Sequence, residues 1–180
     1  HLSQSGSGST PDGAGGAGDT VPPPGLAPED ILALRDGGVV MLDQTRLPGE
    51  VTHVTLTGWP DVVDAIQSMV VRGAPAIGVA GAMGVALAAR TAAASSSTRQ
   101  AFDAEMARAI AALRDARPTA VNLAWAVDLL AGTVADHEGT PDQIADELEA
   151  AARRIHSDEV ARCRAMGAHS LALMTRGARI

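Results

Sequence analysis

The stretch that decides the fold runs from Gly73 to Ala89, GAPAIGVAGAMGVALAA, and meets no charge until Arg90. An uninterrupted run of Ala, Val, Ile, Leu, Met and Gly is either a membrane span or a helix buried on every side. This one is shorter than the ~20 apolar residues that a span needs, and its Ala and Gly give little drive into lipid. It therefore reads as the central helix of a soluble core, with Pro75 at its start. Gly78, Gly81 and Gly84 let neighbouring elements approach closely; each costs about 1 kcal/mol of helix propensity relative to Ala.

Upstream of that helix, Pro60 opens another, in which Val62, Val63, Ile66, Met69 and Val70 keep helical spacing as far as Arg72-Gly73. Before it, Gly38 to Leu42 and the alternating, β-branched Val51 to Thr57 read as paired strands, joined by a turn from Gln44 to Glu50. Glu29 to Leu34 is expected to form a short helical turn. Downstream, Thr98 to Ala116 is amphipathic, with Phe102, Met106, Ile110 and Leu113 on one face. Val121 to Leu130 is mostly apolar. Thr140 and Pro141 open a last helix, expected to reach Arg176 with a kink near Gly167. Its inward residues are expected to be Ile144, Leu148, Ala151, Ile155, Val160, Met166 and Leu171. The fold class is α+β: a small N-terminal β element plus a helical bundle over residues 29–176.

The ends read differently. Residues 1–28 hold seven of the 19 Gly, five of the 10 Pro and no Arg or Lys. Such a head has too little apolar surface to offset its ordering entropy and is expected to be disordered; it also lacks the pattern of a signal peptide. Gly177 to Ile180 reads as a helix stop and the first residues of a strand. The chain is accordingly expected to be a fragment of a longer protein.

Composition narrows the function. The net charge is −7 and aromatic residues are 2% of the 180, which disfavours nucleic acid and anionic membrane as partners. A single cysteine, Cys163, excludes an internal disulfide and fits a reducing, cytoplasmic setting. No GxGxxG, GxxxxGK or HExxH is present, and the five His are scattered, so no metal site is expected. Cys163 lies between Arg162 and Arg164, which would lower a thiol pKa. No oriented base is visible beside it, so it reads as structural.

Two places have the chemistry of an anion site. In Arg72-Gly73-Ala74-Pro75 and in Arg117-Pro118-Thr119, an Arg precedes what reads as a proline-opened helix. A helix start offers unpaired N–H groups and partial positive charge, and Arg adds a permanent, forked cation. Gly73 admits a ligand close to the backbone. A phosphate ester suits these parts; capping or surface ion pairs are the plainer use of the same residues.

Val71 to Gly78, VRGAPAIG, resembles the signature of methylthioribose-1-phosphate isomerases, a family shared with the regulatory subunits of translation initiation factor 2B. Leu42-Asp43-Gln44, Leu47-Pro48, Arg117 to Leu123 (RPTAVNL) and Ile155 to Gly167 agree in order and spacing. The likeness covers residues 38–180. It implies an aldose–ketose isomerase of methionine salvage that converts S-methyl-5-thioribose 1-phosphate into S-methyl-5-thioribulose 1-phosphate. It also implies a cofactor-independent, cytoplasmic homodimer with a Rossmann-like C-terminal domain that is missing here, its first residues being 177–180. By the resemblance, Arg72, Gly73, Ala74 and Arg117 bind substrate. The family's catalytic Cys, in a T-x-C-N motif beyond Ile180, and its later Asp lie outside this chain, so no catalytic residue is expected in it and the fragment alone is expected to be inactive. A ribose-1,5-bisphosphate isomerase and a non-catalytic regulatory subunit are the alternatives.

Overall fold

The computed structural model describes residues 27–35, 37–171 and 173–174. The expected disordered head, apart from its last two residues, and the strand start at 177–180 lie outside them. The order of elements is α1 (Pro28–Ile31), β1 (Leu32–Arg35), β2 (Gly38–Leu42), β3 (His53–Leu56), α2 (Trp59–Gln67), α3 (Ala74–Ser95), α4 (Arg99–Asp115), α5 (Val121–Asp136) and α6 (Pro141–Leu171). The protein is α-rich with one small sheet, in the order β1-β2-β3, antiparallel throughout.

The first strand corrects the sequence reading. The helical turn stops at Ile31, and Leu32 to Arg35 pair with β2 from Leu32↔Met41 to Arg35↔Gly38. Pairing outweighs the strong helical preference of these Leu, Ala and Arg residues, and Gly37, at φ +77°, takes the left-handed conformation a tight hairpin needs. Leu32, Val39 and Met41 are buried and face the helices.

Helix α3 is the axis of the molecule and packs against α2, α4, α5, α6 and strands β1 and β2. It is long and apolar enough to cross a membrane, yet 78% of its most apolar window is buried inside the protein. Phe102, Met106 and Leu113 of α4, Leu123, Val127 and Leu130 of α5, and Ile144, Leu148 and Ala152 of α6 close around it. The glycines of α3 make this closeness possible. A Cβ on Gly78 would stand 2.9 Å from the Asn122 carbonyl oxygen, and one on Gly84 2.8 Å from Leu113 Cδ2.

Caps fix the outer helices. Thr98 Oγ1 accepts the Ala101 N–H at 3.1 Å at the start of α4. Thr140 and Gln143 form a reciprocal capping box at the start of α6. Arg90 joins α3 to Asp146 and Glu149 of α6, and Arg114 of α4 grips Asp128 of α5 through Nε and Nη2.

Helix α6 departs from expectation in its second half. It is helical without a break from Pro141 to Leu171, through Gly167. Met166 and Leu171 are 59% and 70% exposed rather than inward, and every residue from 161 to 171 is exposed. No residue of the buried core lies on those turns, so apolar spacing there has no core to face.

Candidate functional site at the starts of α3 and α5

The loop before α3 is shaped by two left-handed residues. Helix α2 ends with the Met69 N–H on the Ile66 carbonyl and the Val70 N–H on the Ala65 carbonyl, which places Met69 at φ +65°. Gly73, the N-cap of α3, has φ +90°. Between them, Arg72 is exposed, and its Nε donates to the Met69 carbonyl at 3.3 Å.

Helix α3 has no side-chain cap and no acidic residue in its first turn. The same is true of α5, whose N-cap is Ala120. Here the sequence reading needs a second correction, because Pro118 does not open α5. It sits in a turn closed by the Ala120 N–H on the Arg117 carbonyl at 2.9 Å, and the helix starts at Val121. Proline suits the second position of such a turn. The two uncapped starts nevertheless pack together, Gly78 against Asn122 and Gly81 against Leu123 and Val127.

Between them and α6 lies a hollow of about 250 Å³, lined by Pro75, Gly78, Val79, Val121, Asn122, Trp125, Ile155, Glu159 and Arg162. Arg72 and Arg117 do not line it. Arg117 is half-buried at the turn before α5 and makes no side-chain hydrogen bond or ion pair among the described residues. Gly73 and Ala74 stand at the start of the helix whose Pro75 forms part of the hollow's wall. The structure thus unites the helix starts and leaves both guanidinium groups outside the hollow between them.

Trp125, Glu159 and Arg162 line the hollow but are not among the residues that the sequence singles out. Trp125 occurs four residues after Val121 on α5, and nothing in its spacing separates a wall residue from a core one. Arg162 Nη1 donates to Glu159 Oε2 at 3.0 Å, so its charge is compensated within the wall. Cys163 also differs from expectation. It is exposed, outside the core, and its Sγ is 3.6 Å from Glu159 Oε1. Desolvation and then the Glu159 carboxylate push its thiol above the ordinary value, because the acid one turn back faces it where its Arg neighbours do not. That thiol is not activated.

Comparison with known proteins agrees with this architecture. The model of the initiation factor 2 subunit family matches residues 70–180, which include the start of α3, all of α5 and α6, and the turn at Arg117. The chain belongs to the initiation factor 2 subunit family. A methylthioribose-1-phosphate isomerase of Geobacter metallireducens is 43% identical over 147 residues, which are 81% of this chain and 42% of that protein. One from Rhodopirellula baltica is 43% identical over 134 residues, 74% of this chain and 37% of that protein. Among solved structures, the 5-methylthioribose 1-phosphate isomerase of Pyrococcus horikoshii superposes with a TM-score of 0.67 at 33% identity, over 72% of this chain and 38% of that one. The delta subunit of translation initiation factor eIF-2B from A. fulgidus gives 0.60 at 29% identity, over 73% and 36%. The chain spans less than half the length of these relatives.

Proposed function

We propose that this chain supplies the substrate-anchoring part of an aldose–ketose isomerase acting on S-methyl-5-thioribose 1-phosphate in methionine salvage. The observation that carries the reading is the 43% identity to enzymes named methylthioribose-1-phosphate isomerase over 81% of the chain. The packing of two uncapped helix starts on one another supports it. Arg72 and Arg117 hold the phosphate or the sugar oxygens beside it, and Gly73 and Ala74 offer backbone N–H groups to the same anion. Charge-assisted bonds of this kind are worth about 1.5–3 kcal/mol each.

Isomerisation moves a hydrogen between the two carbons at the phosphate end once the ring is open. It needs an acid–base group within hydrogen-bond reach of the moving proton. The anchoring residues do not provide one: guanidinium groups stay protonated, and Cys163 is a poor base at neutral pH. The complete protein is proposed to bring that group and to work as a cytoplasmic homodimer without a cofactor. The prediction is that the complete protein converts methylthioribose 1-phosphate into the ketose, whereas the 180-residue chain alone shows no turnover. Full turnover by the chain alone would contradict this division of labour.

A second reading, a non-catalytic regulatory subunit, is favoured by the likeness to the eIF-2B delta subunit. It predicts no isomerisation by the complete protein. A ribose-1,5-bisphosphate isomerase would instead turn over the bisphosphate in the same assay.

A further inference from the structure

Between the end of α5 at Asp136 and the start of α6 at Pro141, the chain turns through His137, Glu138 and Gly139, and two side chains hold that turn. From α4, Arg99 Nη2 donates to the His137 carbonyl at 3.1 Å and Nη1 to the Gly139 carbonyl at 3.0 Å. From within the turn, the Gly139 N–H donates to Nδ1 of the His137 ring at 2.8 Å. A backbone N–H can only donate, so Nδ1 is the acceptor and carries no proton. The proton of the neutral ring is then on Nε2, which lies 3.2 Å from Glu147 Oε2. The seat is close-fitting, since a Cβ on Gly139 would stand 2.7 Å from Nδ1.

A second proton on this ring must go to Nδ1. There it would point at the Gly139 N–H, donor against donor, and the hydrogen bond is lost. Arg99 holds the carbonyls on either side, so turning the N–H away works against two charge-assisted bonds, and the ring gives way instead. It has somewhere to go: the His137 side chain is 22% exposed and borders an open hollow of about 450 Å³ that Leu129, Thr133, Asp136 and Glu147 also line. Among the described residues, the charged groups around it are Glu147 of α6 and Asp136 of α5 on the hollow, and Arg99 of α4 on its carbonyl, itself paired with Asp103. Glu138 follows it in the chain. A charged ring swinging outward therefore meets carboxylates, Glu147 first.

We propose that His137 is a proton-operated latch on the connection between α5 and α6. Neutral, it closes the turn through Gly139; protonated, it leaves Gly139 for Glu147 and the turn opens. The opening stops at the capping box of Thr140 and Gln143, which begins one residue further on. The latch needs no substrate and is independent of the isomerase reading.

The test is amide exchange at Gly139 in the complete protein, corrected for the intrinsic rate, at about pH 8 and about pH 5, which bracket the charge change of a histidine. Protection is expected to fall about three- to tenfold at the lower pH, the worth of one hydrogen bond. In His137→Asn the shorter side chain accepts from the N–H two residues on and does not titrate, so protection is expected to be equal at the two pH values. Unchanged protection in the wild type, or the same fall in His137→Asn, overturns the proposal. If His137→Asn leaves Gly139 unprotected at both, Glu147→Gln decides: it keeps the ring and removes the carboxylate that receives it. Protection retained at the higher pH and lost only at a lower pH than in the wild type supports the latch, and a loss at the same pH overturns it.

Discussion

Met69 and Gly73 show how much of the site is decided by single backbone conformations. Both are left-handed, and they bracket Arg72. For a residue with a Cβ this conformation costs roughly 1–2 kcal/mol. Gly73 has nothing within 4 Å of where a Cβ would stand, so Gly73→Ala tests conformation free of crowding. It is expected to destabilise the protein by about 1 kcal/mol in urea unfolding. Met69→Gly is expected to do the reverse, raising the unfolding midpoint, because it relieves the left-handed strain at a residue that is 41% exposed and outside the buried core. A lowered midpoint would mean that the thioether is held by contacts absent from this fold. Gly73 was legible in the sequence as a place of close approach. Met69 was not, since methionine carries no signal for a left-handed residue and the conformation is imposed by the two bonds that end α2.

At the scale of elements, the central helix, the amphipathic α4 and the capped start of α6 were legible because their patterns are local. Charge-free length, one apolar face, and Thr140 before Pro141 each speak for themselves. Strand β1 and the exposed end of α6 were not. A four-residue strand exists only through its partner, and the same apolar spacing along α6 serves the core as far as Ile155 and meets only exposed positions from residue 161 on. Close packing of α3 on α5 leads to a further expectation. Gly78→Ala puts a methyl against backbone, the Asn122 carbonyl, which cannot swing away, and should cost about 1–3 kcal/mol. Gly84→Ala meets only side chains, Leu113 and Val62, and should cost less in parallel thermal melts.

The loop between β2 and β3 is an element with a pH signature. Asp43 accepts hydrogen bonds from Thr45 Oγ1 at 2.6 Å, from Thr45 N at 3.0 Å and from Arg46 Nε at 3.3 Å. The Thr45 hydroxyl first, and then its N–H and Arg46, outweigh partial desolvation and hold the carboxyl below its ordinary value. A depressed carboxyl contributes stability in full above its unfolded pKa, and that contribution is lost as pH falls through the folded value. Asp43→Asn should therefore lower the melting temperature at pH 7 and make little difference at about pH 2, below the unfolded value of ~3.9. An equal difference at both would show that shape, and not charge, makes Asp43 useful.

For the molecule as a whole, a single buried helix sets the geometry, and the candidate site lies where its uncapped start meets that of α5. Motifs in the sequence picked out both places, yet they did not disclose the hollow between them, because its wall is assembled from three helices far apart in the chain. The Arg162–Glu159 pair in that wall is charge-compensated, and Arg72 and Arg117 lie outside the hollow. The proposed function stands or falls on those two arginines. Calorimetric titration of the complete protein with methylthioribose 1-phosphate, in wild type, Arg72→Ala and Arg117→Ala, tests it most directly. The account predicts that each variant binds at least about tenfold more weakly, in line with ~1.5–3 kcal/mol for a charged hydrogen bond. Unchanged affinity in both variants would contradict it.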